Sequence, residues 1–297
     1  MFRFCWWPWC LALILVWGES EGRTSARQVG FVLLREGIGA RAVAMGEAYT
    51  AVAGDQTAAF WNPAGVAVMR GKDFLLAHHR SFQSIQQAYA GWAYGNGRRG
   101  LALSVGIHSA GGLETRTGPS AEPLGTFGLY EINAGFSYAQ RIGERMYAGA
   151  SVRALHETIG PEGASGVAAD VGLLYRMPVE GVTVGAVCRN WGRMGPLDRE
   201  RVPLPRTFRI GAALARGALA GSVDLRFPER SGRGLHAGVE YGVRQAFFLR
   251  GGYRSGSETR DVSFGVGLQR RNWRFDYAYV PTGLGLGGLH RVALGIR

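Results

Sequence analysis

From Lys72 to its C-terminus the chain is written in segments of about ten residues in which apolar residues alternate with polar or small ones. A β-strand sends successive side chains to opposite faces, so each segment has one apolar face and one polar face. Ile132, Ala134, Phe136 and Tyr138 alternate with Glu131, Asn133, Gly135 and Ser137. Leu235, Ala237, Val239 and Tyr241 alternate with His236, Gly238, Glu240 and Gly242. Val262, Phe264, Val266 and Leu268 alternate with Ser263, Gly265, Gly267 and Gln269. About ten residues is the length a tilted strand needs to cross a bilayer. The 47 glycines point away from a helical bundle, because Gly costs roughly 1 kcal/mol per helix position relative to Ala.

The pattern gives about fourteen strands, near 72–83, 86–95, 99–109, 129–141, 145–156, 166–177, 180–191, 206–215, 217–227, 233–243, 245–255, 259–270, 271–281 and 288–297. The joins at Gly95-Asn96-Gly97, Gly143-Glu144, Pro178, Arg216, Arg244 and Arg270-Arg271 are short. The joins at 110–128, 157–165, 192–205, 228–232, 255–258 and 282–287 are longer, and only the one near Ser84-Ile85 breaks the rhythm. Short turns at one end and long loops at the other are the signature of an outer-membrane barrel. The expected fold is therefore all-β. It is a transmembrane up-and-down antiparallel barrel over 71–297, in the bacterial outer membrane, with both termini periplasmic.

Residues 1–22 read as a secretory signal, with Arg3 ahead of an apolar core from Leu11 to Trp17 and Val16-Trp17-Gly18 near the cleavage point. Cys10 follows Trp9, which argues against a lipoprotein signal. Loss of the leader would remove Cys5 and Cys10 and leave Cys188 alone, so no intramolecular disulfide is expected. No later stretch of 18 apolar residues offers a membrane helix, which leaves strands to do the crossing.

The net charge is +12, carried almost wholly by arginine, with Lys72 the one lysine. A surface facing lipopolysaccharide or phospholipid phosphate is one reading, and a codon preference for arginine is the other. No basic run interleaved with aromatics suggests a nucleic-acid partner.

Tyr94, Tyr138, Tyr147, Tyr175, Phe208, Phe247 and Trp273 sit near the strand ends, as interfacial girdles do. On the opposite face, alternation directs Arg153, Asp170, Arg189, Arg209, Asp224, Arg226, Glu240, Arg250, Arg274 and Asp276 into the lumen. Opposite charges on adjacent strands would pair there, as Asp224 with Arg209. Such pairs more simply fill and neutralise a narrow barrel than select a solute.

Residues 23–70 do not read as strand. Small residues dominate Gly37 to Gly46, Asp55 can cap a short helix running toward Phe60, and Asn62-Pro63 ends it. The segment suits a helical or irregular plug inside the lumen, with Gly39, Arg41, Met45, Gly46, Asp55, Trp61, Asn62, Pro63, Ala64 and Gly65 as its motif. These residues resemble the N-terminal signature of PorV/PorQ-type outer-membrane proteins. That family is similar to the FadL-like hydrophobic-compound transporters, which share the Asn-Pro-Ala element. Phe275 to Pro281 and Leu289 to Leu294 resemble the family's closing hairpin, although the chain ends Gly295-Ile296-Arg297 without a terminal aromatic.

The resemblance implies fourteen strands, an internal plug and one of two roles. The first is an accessory to type IX secretion that binds cargo or attachment proteins through loops 110–128 and 192–205. The alternative is a channel for an apolar small molecule. A continuous apolar pocket behind the plug would favour transport, and a fully occluded lumen would favour binding. No catalytic residue, cofactor or metal site is expected. There is no Gly-x-Ser-x-Gly element and no metal-ligand spacing, and His78 and His79, being adjacent, face opposite ways in a strand. The glycines from Gly283 to Gly288 lack the strand-then-helix setting of a phosphate loop.

Overall fold

The computed structural model describes residues 30–81, 85–119, 122–230, 232–244, 246–256, 261–283 and 287–297. The signal segment, Ser84 and parts of several connections lie outside the described residues. Fourteen strands close into one antiparallel barrel. They are β1 Arg70–Arg80, β2 Gln86–Asn96, β3 Arg99–Thr115, β4 Gly125–Arg141, β5 Met146–Ile159, β6 Glu162–Arg176 and β7 Val182–Met194. The circuit continues with β8 Thr207–Arg216, β9 Leu219–Pro228, β10 Gly234–Val243, β11 Phe247–Arg254, β12 Val262–Arg270, β13 Trp273–Pro281 and β14 Gly288–Ile296. Every strand pairs with its sequence neighbours, and β14 closes on β1 from Phe74 opposite Ile296 to Arg80 opposite His290.

The fourteen-strand barrel read from the sequence is the fold observed. Two connections differ from expectation. β3 and β4 are each 17 residues long and continue well into 110–128. β5 and β6 consume most of 157–165, leaving Gly160 and Pro161 as the join, where Gly160 takes the left-handed conformation (φ 57°) that a tight reversal needs. The opposite end carries only short turns, and Arg244 and Arg271 adopt φ 52° and 53° there to match the twist of their hairpins.

Outward-facing side chains form an apolar belt that includes Leu103, Phe136, Val152, Val167, Ile210, Leu249 and Phe264, all exposed. No described helix is long and apolar enough to cross a membrane. A closed strand barrel with an apolar exterior and ionised interior satisfies its backbone internally and presents hydrocarbon to lipid. This is a barrel of the bacterial outer membrane, with its short turns periplasmic.

Tyr147 corrects the girdle reading: it is 2% exposed and points inward, whereas Tyr94, Tyr138, Tyr175, Phe208, Phe247 and Trp273 are exposed. Parity explains the difference. Tyr147 lies an even number of residues from Arg153, so both share the inner face of β5.

Residues 30–69 fill the barrel. Gly30 donates to the Pro203 carbonyl at the long-loop end, and Gly97 donates to the Met69 carbonyl at the short-turn end where β1 begins. Between them lie a 3-10 turn at Val32–Leu34, helix α1 (Ala40–Ala44), helix α2 (Ala58–Trp61) and a 3-10 turn at Pro63–Val68. The hydrophobic clusters of the molecule contain both plug and wall residues; one joins Val43, Met45 and Trp61 to Leu75, Tyr89 and Ala278. Wall glycines mark the footprint of the plug. A Cβ on Gly252 would come within 2.0 Å of the Gly46 nitrogen, and one on Gly172 within 2.0 Å of the Asn62 side-chain oxygen.

Candidate functional site: the plugged lumen

Asp55 is the polar centre of the plug. One carboxylate oxygen accepts from the Tyr49 hydroxyl (2.7 Å) and Arg41 (3.2 Å); the other accepts from the Thr57 backbone N–H (3.0 Å) and hydroxyl. Asp55 is not the cap of α2 that the sequence suggested: the N-cap is Thr57, without a side-chain cap bond, and Asp55 binds the N–H of that residue. Burial alone would raise this carboxyl, but Arg274 and Arg41, with the Thr57 hydroxyl and Arg297, outweigh it and hold Asp55 well below the usual carboxylate range.

Arg41 carries the network from plug to wall. Its Nε and Nη2 grip both oxygens of Glu240 on β10 at 2.8 and 2.7 Å. Glu240 also takes Arg250 Nε at 2.6 Å, Arg250 reaches Asp276 at 2.8 Å, and Asp276 takes Arg274 at 3.1 Å. Arg274 lies 3.9 Å from Asp73, which accepts from the Gln56 N–H of the plug at 3.0 Å. The circuit leaves the plug at Arg41 and returns to it at Gln56.

The opposite wall uses other groups. Asp224 on β9 accepts from the backbone N–H groups of Tyr49 and Thr50 (both 3.0 Å) and from the Thr50 hydroxyl (2.6 Å), and forms an ion pair with Arg209 at 3.3 Å. Arg209 donates to the Glu47 carbonyl at 2.6 Å, while the Glu47 carboxylate holds Arg254 at 2.6 Å. Burial opposes ionisation of Glu47, yet Arg254, His236 and Arg209 lower its pKa below the ordinary value. Arg153 pairs with Asp170, and Arg189 stacks 4.1 Å from the Phe60 ring centroid and 5.6 Å from that of Trp61. Such a desolvated cation over an aromatic face is attracted by the ring quadrupole.

Asn62 sits where α2 meets the following 3-10 turn. Its amide donates to the Thr50 carbonyl (2.8 Å) and to Leu173 of β6 (3.1 Å), and its oxygen accepts from Ala64 (3.2 Å). Pro63 occupies the first turn, where no N–H is needed. Trp61 donates to the Ile38 carbonyl at 3.0 Å. Gly39 and Gly46 adopt φ 83° and 63°, Met45 and Ala64 are buried, and a Cβ on Gly65 would come within 2.9 Å of Ala58.

Nine of the ten charges assigned to the lumen are buried there, and Arg226 is half-buried near its long-loop end. Residues absent from that reading complete the arrangement: Asp73, Glu47, His236, and Glu131, which accepts from the Val32 and Leu33 N–H groups at 2.6 Å each. Glu131 and His236 stood on the polar side of the alternation, but nothing in period marks which lumenal group meets plug backbone.

Among the described residues, the plug is packed closely against the wall. Cavities beside Gly39 and His79, and beside Gly46 and Ser263, measure about 10 Å³ each, about one water. At the long-loop end Phe31, Leu33, Leu34, Leu155, Ala164, Ala168, Met194 and Leu204 form an apolar cluster. Next to it the β6–β7 register shifts between Ala169 and Val171, where Asn190 adopts φ 61° and its N–H turns to the Asp170 carboxylate at 2.7 Å. A second shift lies between Ala110 and Leu113 of β3.

Solved structures share this architecture. The toluene transporter TbuX of Ralstonia pickettii aligns with a TM-score of 0.64 at 18% identity, covering 88% of this chain and 98% of its own. The barrel fold is shared with that transporter. The monoaromatic hydrocarbon channel CymD aligns at 0.68 with 13% identity, over 88% of this chain and 96% of its own. A Pseudomonas aeruginosa FadL homologue aligns at 0.63 with 11% identity, over 85% and 96%. No protein-family profile and no curated protein sequence matches the chain. These neighbours support the FadL-like half of the resemblance, and the comparisons give no support to its PorV/PorQ half or to a place in type IX secretion.

Proposed function

We propose that this barrel admits apolar small molecules across the outer membrane, with residues 30–69 as its gate. The observation that carries the reading is the division of the lumen. An apolar cluster built from Phe31, Leu33, Leu34, Met194 and Leu204 lies at the long-loop end, and the space below it is crossed by buried ion pairs. An apolar molecule gains by leaving water for the cluster and loses by advancing among charges. Its sideways exit toward lipid, on this reading, lies at the β6–β7 irregularity beside Ala168 and Met194, where the strand pairing shifts register. The structural likeness to hydrocarbon channels supports the same reading; the two water-sized cavities beside the plug are not the continuous apolar pocket that would favour transport, so the plugged barrel is taken as the closed state.

The test is uptake of a radiolabelled monoaromatic hydrocarbon by cells lacking other hydrocarbon channels. Cells making the protein should accumulate label faster than cells without it, and Leu33→Glu should remove the gain while leaving the folded barrel in the membrane. Uptake equal to that of barrel-free cells would overturn the reading.

A further inference from the structure

The outer surface is not uniform around the barrel. Residues 191–206 and 227–233 contain Arg193, Arg199, Arg201, Arg206, Arg230 and Arg233 against Asp198, Glu200 and Glu229, a net excess of three positive charges. The β3–β4 connection, 116–124, holds one of each sign, Arg116 and Glu122. Among the long-loop connections the basic excess lies at the ends of β7 to β10; the short-turn end is also basic, with Arg98, Arg145, Arg216, Arg244, Arg270 and Arg271.

Two of these arginines are fixed over outward-facing aromatic rings. Arg206 lies 5.0 Å from the ring centroid of Trp191, which is 66% exposed, while also facing Glu229 at 3.8 Å and donating to the Gly192 carbonyl, and Arg233 lies 5.8 Å from the centroid of Phe227. Phe227 packs beside Phe208 with centroids 6.2 Å apart. Arg193 shares the outward parity of Trp191 on β7. An aromatic at the interface with a guanidinium on it holds the charge at headgroup depth, and a guanidinium binds phosphate through a fork of N–H groups.

The outer face of β7–β11 has a shallow groove of about 610 Å³ that runs from Val182, Leu214 and Gly221, near the short-turn ends of β7 to β9, through Ala212 and Val239 to Tyr253 near the long-loop end of β11. Ala212 is four residues along β8 from Phe208, roughly 13 Å at a strand rise of about 3.3 Å per residue. Leu214, two residues further on, is roughly 20 Å along the strand from Phe208, so the groove reaches the bilayer midplane about 15 Å down. Small residues leave room there for hydrocarbon chain, not for water.

The geometry points to a lipid-binding site for a phosphorylated glycolipid of the outer leaflet. Arg193, Arg206 and Arg233 hold its phosphates, and the groove takes its acyl chains. This site faces lipid and is independent of what passes through the lumen.

The test is the rise in the barrel's thermal unfolding temperature, read by heat-modifiable gel mobility in neutral detergent, on titration with purified diphosphoryl lipid A. The wild-type protein should be stabilised saturably, and less so as salt rises. The triple variant R193Q/R206Q/R233Q should bind on the order of a hundredfold more weakly, from about a fivefold loss per arginine near a charged lipid surface. Ala212→Trp should also weaken binding, although it changes no charge. Arg116→Gln, in the other sector, should leave binding intact. Dephosphorylated lipid A, phosphatidylglycerol and inorganic phosphate at equal concentration should give little shift. Equal stabilisation of wild type and triple variant, or equal stabilisation by phosphatidylglycerol or by phosphate alone, would overturn the proposal. If the triple variant does not fold, Arg206→Gln compared with Arg206→Lys decides it: both binding like wild type is the adverse result, and loss restored by lysine is the supporting one.

Discussion

Arg41 of the plug and Glu240 of β10 face each other as fork and fork, with Nε–Oε2 at 2.8 Å and Nη2–Oε1 at 2.7 Å. The remaining terminal nitrogen of Arg41 turns to Asp55, so one guanidinium neutralises a carboxylate on each side of the plug–wall boundary. Arg41→Ala should destabilise the plugged barrel by roughly 3–5 kcal/mol, because Asp55 and Glu240 stay buried without it. Arg41→Lys should recover little, since an ammonium cannot reproduce the fork. Urea unfolding of both variants measures this, and wild-type stability for Arg41→Lys would contradict it.

Asn62 ties the plug to itself and to β6 through one amide. Asn62→Asp keeps the shape and removes both donors, leaving the Thr50 and Leu173 carbonyls unserved. A loss of about 1–3 kcal/mol is expected. Because the loss falls on the plug and not on the strand ladder, single-channel conductance in planar bilayers should rise while heat-modifiable mobility persists. Unchanged conductance would show that this amide does not hold the gate.

Acid should act through Asp55 with a definite sign. Its carboxyl is held below the ordinary value of 3.8, so its ionised form favours the folded plug. That contribution is present above the unfolded pKa and fades as pH falls through the folded one. Conductance and unfolding temperature should therefore be insensitive to this group between neutral pH and about pH 5, and the plug should loosen only in stronger acid. Asp55→Asn should be weaker at neutral pH and lack this component of the acid response. A titration step near pH 7 that Asp55→Asn removes would contradict the assignment.

Wall glycines should separate plug seating from barrel closure. Gly252→Val places a side chain against the Gly46 nitrogen, whereas Gly111→Ala meets nothing within 4 Å. Limited proteolysis from outside should expose cleavage within 30–69 in Gly252→Val and not in Gly111→Ala, both retaining the heat-modifiable barrel.

Much of the fold was legible because a strand's side-chain period is two and a membrane strand's length is fixed by the bilayer. Parity placed Arg209 and Asp224 on one face, and the ladder sets Asp224 opposite Gly211, diagonal to Arg209, within ion-pair reach at 3.3 Å. The same parity, applied consistently from Arg153, would have turned Tyr147 inward. The Asn62-Pro63 break was visible in the residues themselves, because proline cannot continue a helix it does not begin.

What the chain's own pattern determined was the barrel, its closure in neighbour order and the sidedness of its charges. Only the tertiary structure decided which of those charges meet the plug. Arg41 and Glu240 lie 199 residues apart, Asp224 and Thr50 174, and no local periodicity relates positions so distant. The plug is non-repeating backbone whose N–H groups need acceptors, and the closed wall supplies them at Asp73, Glu131 and Asp224. Those partners exist only once the fourteen strands have curved round to enclose it.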